Sequence, residues 1–201
     1  MIIELLGLPR SGKSTIIQDL LKFFCNSDTL FDIEKEGAFE NTPPTSYLYN
    51  KIWLKTIENF LSNVSPQGIH FLERGPLDRV IMTTTLHKHG HLTIEQTDNL
   101  CKTARAYIGK VDKFVLVDIP IALSLKNVKN HKIHFTRNAN FLRTLSIEYQ
   151  GINKLVDLNT LKLITHKQNE VMDEFRRRAV SEIKEFVDTK NPHHSVDLVG
   201  L

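Results

Sequence analysis

Hydrophobic positions along the chain change period repeatedly, and each change predicts an element. Residues 1–8 are a short apolar run closing on Gly7 and Leu8, the pattern of a buried strand. From Lys13 to Phe24 the apolar residues Ile16, Ile17, Leu20, Leu21 and Phe24 recur on one helical face. Residues 29–35 predict a second strand, followed by a polar loop with Pro43-Pro44. Tyr49, Trp53, Ile57, Phe60 and Val64 then mark a helix, and Ser65-Pro66-Gln67-Gly68 is turn chemistry. Residues 69–73 predict the third strand. Pro76 suits a first helical turn, with Leu77, Val80, Ile81 and Thr84 facing inward and Gly90 as the break. Ile94, Thr97, Cys101, Ala104 and Ile108 predict another helix, stopped at Gly109. Residues 113–119 predict the fourth strand, ended by Pro120. Leu142, Leu145, Tyr149 and Ile152 mark a later helix, and residues 161–165 a fifth strand. A last helix runs to about Val187, with Met172, Phe175, Ala179, Ile183 and Phe186 inward.

Strands alternating with helices predict an α/β fold, a parallel sheet covered on both faces. In such sheets ligands bind beyond the carboxyl ends of the strands. That directs attention to Gly7–Ser14, Glu36, Glu73 and the loops after Asp118 and Thr165.

Composition narrows the class. The 201 residues are 41% apolar and 24% charged, which excludes a disordered or fibrous chain and suggests one domain. Cys25 and Cys101 are too few for a disulfide scaffold and read as small core residues. No apolar run is long enough to span a membrane, and the start carries no basic signal segment, so a cytoplasmic location is expected. The net charge of +3 argues against a general nucleic-acid partner.

Gly7-Leu8-Pro9-Arg10-Ser11-Gly12-Lys13-Ser14-Thr15 contains G-x-x-x-x-G-K-S, the Walker A loop, placed between a strand and a helix as that motif requires. Its glycines let backbone N–H groups form a nest for phosphate, and the helix start adds positive potential. Gly7, Arg10, Ser11, Gly12, Lys13, Ser14 and Thr15 are therefore the expected ATP-binding residues. Lys13 would reach the β- and γ-phosphates and the Ser14 hydroxyl would bind Mg²⁺. An N-K-x-D guanine selector and an L-S-G-G-Q transporter signature are missing, which favours a small-molecule kinase. Glu73-Arg74 leaves the third strand at the same sheet edge. There Glu73 can hold Mg²⁺ or its water, and Arg74 can stabilise charge on a transferring phosphoryl group.

These residues resemble the deoxynucleoside kinase and thymidylate kinase group of P-loop kinases. Glu73-Arg74-Gly75, with Arg79 beyond, looks like their E-R-S element with Gly75 in place of the serine. Lys35-Glu36-Gly37 stands where thymidylate kinases carry R-E-P-G, without the proline. Val117-Asp118-Ile119-Pro120 looks like their L-D-x-P, and Phe141-Leu142-Arg143 through Tyr149 like the helix after their lid. The resemblance implies a P-loop NTPase three-layer sandwich with a five-stranded parallel sheet of order 2-3-1-4-5. It implies a domain over residues 1–190, a small lid at about 126–138 and a loose tail at 191–201.

It further implies an Mg²⁺- and ATP-dependent phosphotransferase whose acceptor is a nucleoside or nucleoside monophosphate, and is compatible with a homodimer. A kinase for another small hydroxylated molecule, or a nucleotide-binding accessory protein with little turnover, remain alternatives. Lys13, Glu73, Arg74, Glu36 and Arg137 are the implied catalytic set, with Glu36 near the acceptor's 5′ oxygen and Arg137 in the lid. Phe39, Tyr47 or Trp53 could stack on the acceptor's base, although Trp53 lies on an apolar stripe, and His166-Lys167-Gln168 would flank adenine.

Between Lys126 and Arg143 five Lys/Arg occur without an acid, a local basic excess hidden in the +3 and expected to form that lid. His87, His89 and His91 read as a helix-end cluster, and Arg176-Arg177-Arg178 as a paired, solvated helix face.

Overall fold

The computed structural model of the chain describes residues 1–24, 27–30, 42–127 and 138–188. Five parallel strands form one sheet: β1 (Ile2–Leu6), β2 (Thr29–Leu30), β3 (His70–Glu73), β4 (Lys113–Asp118) and β5 (Leu161–Thr165), in the order β2-β3-β1-β4-β5. The register sets Leu5 of β1 opposite Glu73 of β3, so the Walker A turn and the Glu-Arg turn emerge side by side.

Side chains alternate between two cores with the strand period of two. Ile3, Leu5, Phe71, Val115 and Val117 pack under α1 (Lys13–Leu20) and α7 (Met172–Asp188). Leu6, Leu72, Phe114 and Leu116 pack on the opposite face under α2 (Tyr47–Asn63), α3 (Pro76–Lys88), α4 (Ile94–Ile108) and α6 (Ala139–Gln150). Each such side chain contributes about 1.5–3 kcal/mol when fully buried. The result is three layers with the sheet in the middle.

Capping defines the helix starts. Ser46 accepts the Tyr49 N–H, Thr93 and Gln96 form a reciprocal capping box, and Asn138 accepts the N–H groups of Asn140 and Phe141.

Several boundaries differ from the periodicity. The first helix ends at Leu20, because residues 21–23 tighten into turns; Leu21 and Phe24 still pack against the core. Val64 caps α2 from outside, and Ile152 belongs to a short 3₁₀ turn after α6. Helix α3 is buried nearly all round, with Thr84 only half-buried, because α2, α4 and α6 all pack on it; a one-face reading undercounts such a helix. Phe186 is only partly buried, while its neighbour Val187 enters the core. A further helix, α5 (Ile121–Asn127), follows Pro120 directly.

Of the two cysteines, Cys101 is buried, its thiol pKa pushed up by that burial; Cys25 lies outside the described residues. Also outside them are residues 31–35 of the expected second strand, residues 128–137 of the expected lid and the tail from residue 189. Among the described residues, no helix is long and apolar enough to cross a membrane.

Candidate active site

The Walker A segment follows β1 in a conformation that its residue types permit. Gly7 has φ 137°, and a Cβ there would lie 2.2 Å from the Val117 carbonyl oxygen, so β4 leaves room only for glycine. Gly12, at φ 90°, is the left-handed residue at the start of α1. Arg10 is also left-handed at φ 62°. Helix α5 holds this strained turn from the side: the Ser124 hydroxyl donates to the Pro9 carbonyl at 2.7 Å, and the Asn127 amide donates to the Arg10 carbonyl at 3.4 Å.

Lys13 is buried inside the loop, its ammonium donating to the Gly7 carbonyl (3.1 Å), the Leu8 carbonyl (2.9 Å) and the Ser11 hydroxyl (3.1 Å). Burial lowers its pKa to about 8, and the positive Arg74 lowers it further, against the opposing pull of Glu73 and Asp78. An anion beside this lysine would favour its charged form and raise the pKa again.

Across the sheet edge, the Ser14 hydroxyl donates to Glu73 Oε2 at 2.7 Å. The pair offers hydroxyl and carboxylate oxygens together, the donor set that a hard divalent cation such as Mg²⁺ takes. Arg74 adopts φ 61°, uncommon outside glycine. Its backbone is fixed on both sides: its N–H donates to the Leu5 carbonyl at 3.2 Å, and its carbonyl accepts the Trp53 indole N–H at 3.1 Å. Strain held by surrounding structure is characteristic of functional turns.

Behind this edge lies a buried polar network. Asp78 is fully buried; Arg79 donates to its Oδ2 at 2.7 Å, Arg74 Nη1 stands 4.0 Å from the same oxygen, and the Tyr149 hydroxyl bonds its Oδ1. Burial alone would raise the Asp78 pKa, but Arg79 and Arg74 more than offset it and hold the carboxylate below its usual range. The Tyr149 hydroxyl also lies 3.1 Å from the Gly7 carbonyl, and burial with the Asp78 charge pushes its pKa well up.

Glu4 of β1 caps α3, accepting the N–H groups of Leu77 (3.2 Å) and Asp78 (2.8 Å). Burial drives its pKa to about 8, the Asp78 charge adding to the rise and the two backbone N–H groups opposing it. The Glu4 carboxyl explains Gly75: a Cβ at that position would meet the carboxyl carbon at 2.7 Å.

The structure brings together Gly7, Arg10, Ser11, Gly12, Lys13, Ser14, Glu73 and Arg74, with Thr15 exposed on the first turn of α1. Glu36 and Arg137 lie outside the described residues, as does Phe39. Of the remaining stacking candidates, Trp53 is core, with the Arg79 guanidinium 4.6 Å over its ring, while Tyr47 is partly buried and its hydroxyl donates to Asn99. The loop after β5 is clamped by Arg178, which binds Glu170 and the Thr165 carbonyl, while Glu170 accepts the Lys167 N–H. Glu170 is held at a pKa of about 2, chiefly by its bond to Arg178. Arg178 also pairs with Glu182 and Arg176 with Asp173, as the charge spacing predicts, and Arg176 reaches Asp19 of α1 as well. His87 bonds the Leu92 carbonyl and His89 the Thr144 hydroxyl; no His/Cys/Asp/Glu cluster suited to a metal ion occurs among the described residues.

Glu4, Asp78, Tyr149, Ser124 and Asn127 went unassigned by the sequence reading. One signal was present: Glu4 interrupts an otherwise apolar strand, and a buried acid needs partners. Tyr149 stood only as one position on the stripe of its helix.

No protein-family model matches the sequence, and no curated protein matches it. Solved structures do resemble it in fold. Deoxyadenosine kinase from M. mycoides, solved with bound dATP, superposes with a TM-score of 0.68 at 11% identity, over 92% of this chain and 100% of that one. Thymidylate kinase from Candida albicans gives 0.64 at 13% identity, over 92% and 91%. NadR in complex with NR gives 0.70 at 14% identity, over 94% of this chain and 52% of NadR. The chain therefore has the fold of the P-loop nucleoside and nucleotide kinases.

Proposed function

We propose that the protein is an ATP-dependent phosphotransferase whose acceptor is a nucleoside or a nucleoside monophosphate. The observation that carries this reading is the Ser14–Glu73 hydrogen bond at the open side of the Walker A turn, with Arg74 next in sequence. Three groups that phosphoryl transfer needs converge on one sheet edge: a phosphate nest, a hard-oxygen pair and a guanidinium. The fold's likeness to deoxyadenosine and thymidylate kinases supports the acceptor class.

In this reading the N–H groups from Arg10 to Thr15 bind the ATP phosphates. Lys13 exchanges its neutral carbonyl partners for phosphate oxygens, whose negative charge attracts the ammonium. Ser14 and Glu73 are the residues that would hold Mg²⁺, which when bound neutralises phosphate charge and orients the oxygens. Arg74, held in its strained turn, stabilises charge on the group in transfer. Glu36 would orient the acceptor hydroxyl and Arg137 would close over the phosphates from the lid. Catalysis is then mostly positioning and charge neutralisation.

Lys13→Ala tests the site. ADP formation in the presence of acceptor should fall by about a hundredfold or more, with the thermal midpoint showing a folded protein. Wild-type rates in a folded Lys13→Ala protein would place the chemistry elsewhere.

A further inference from the structure

The Tyr149 hydroxyl has one proton and two acceptors. It bonds Asp78 Oδ1 and stands 3.1 Å from the Gly7 carbonyl. That carbonyl already receives a second donor, the Lys13 ammonium, at 3.1 Å. Asp78 in turn faces Arg74 at 4.0 Å and Arg79 at 2.7 Å. A continuous chain of contacts thus runs Lys13, Gly7, Tyr149, Asp78, Arg74, and all its members except Arg74 are buried.

If Lys13 turns toward phosphate, as the proposed function requires, the Gly7 carbonyl loses a donor in a region sealed from water. A buried carbonyl without a partner is costly, about 1–3 kcal/mol. The Tyr149 hydroxyl is the group already within reach of it. Asp78 keeps Arg79 and Arg74 on its Oδ2, while its Oδ1 shares the Tyr149 proton with the Gly7 carbonyl.

We infer that Tyr149 is a positioning residue for nucleotide binding: when Lys13 engages phosphate, the Tyr149 hydroxyl is the donor that stays on the Gly7 carbonyl and holds the Walker A turn. The inference rests on the kinase reading and deepens it. It assigns to helix α6 a direct part in holding the Walker A turn.

The test is ATP affinity, measured by titration without acceptor, in the wild type and two variants. Tyr149→Phe keeps the ring and removes the hydroxyl; its dissociation constant for ATP should rise about tenfold. Asp78→Asn removes the charged competitor for the Tyr149 proton, so its dissociation constant should be unchanged or lower. Opposite responses support the inference, because a merely structural role would weaken binding in both variants. Wild-type affinity in a folded Tyr149→Phe protein, or equal weakening in both variants, overturns it. Where Tyr149→Phe fails to fold, Asp78→Asn alone decides: a tenfold weakening overturns the inference. A wild type that fails to bind ATP overturns the kinase reading and this inference with it, whereas a wild type that binds ATP while the variants respond alike removes only the inference.

Discussion

Glu4 sits in the middle of β1 with no solvent exposure, one residue from leucine and isoleucine on either side, and it caps α3. Burial raises its pKa from 4.5 to about 8, so between those values the folded protein binds a proton that the unfolded chain has released. The sign follows from linkage: stability from this group is fully present below 4.5, declines as pH rises, and is lost once pH passes about 8. The change is on the order of 5 kcal/mol. Lys13, lowered from 10.5 to about 8, acts only above that window and in the opposite direction, and Asp78 acts only at acid pH. Thermal midpoints between pH 5 and 8 should therefore fall more steeply in the wild type than in Glu4→Gln, which cannot ionise. Parallel pH profiles would show that Glu4 is not the group responsible. At this scale the sequence was legible where residue type and spacing carry chemistry, as in Gly12-Lys13-Ser14 and Glu73-Arg74. It was opaque where meaning comes from a partner far along the chain: Glu4 and Asp78 are 74 positions apart, and Tyr149 and Gly7 are 142 apart.

Among the elements, α5 shows what periodicity misses. It is seven residues long, too short for an amphipathic stripe to stand out, and its sequence merges with the end of the fourth strand at Pro120. Its role is mechanical, since Ser124 and Asn127 hold the Pro9 and Arg10 carbonyls of a turn that bends through left-handed conformations. Ser124→Ala leaves the Pro9 carbonyl without its donor at a buried position, a loss of about 1–3 kcal/mol. The expected outcome is a lower thermal midpoint together with weaker ATP binding, read by melting curves with and without ATP. A lower midpoint with unchanged ATP affinity would mean that α5 stabilises the fold without shaping the nest. The longer elements α2, α4 and α7 were legible because many turns repeat one apolar face, and α4 matches the expected limits at Ile94 and Gly109. Helix α3 was misread as one-faced because sequence periodicity reports a helix's own stripe and not the three helices that surround it.

For the whole molecule, the net charge of +3 averages two segments of opposite sign: acids at residues 28–40 and an acid-free basic stretch at 126–143. A parallel sheet gathers the ends of β1 and β3 at one edge, and the helices behind that edge lock the Walker A and Glu-Arg turns into one polar network. Under the proposed function, that edge would serve transfer between two bound molecules rather than simple nucleotide storage. The most direct measurement is ADP formation from Mg²⁺-ATP with a panel of nucleosides, nucleoside monophosphates and no acceptor. ADP that appears only when one of these acceptors is present, with the acceptor recovered carrying one added phosphate, is the predicted result. ADP formed at the same rate without acceptor, or ATP bound and never turned over with any of them, would contradict the account.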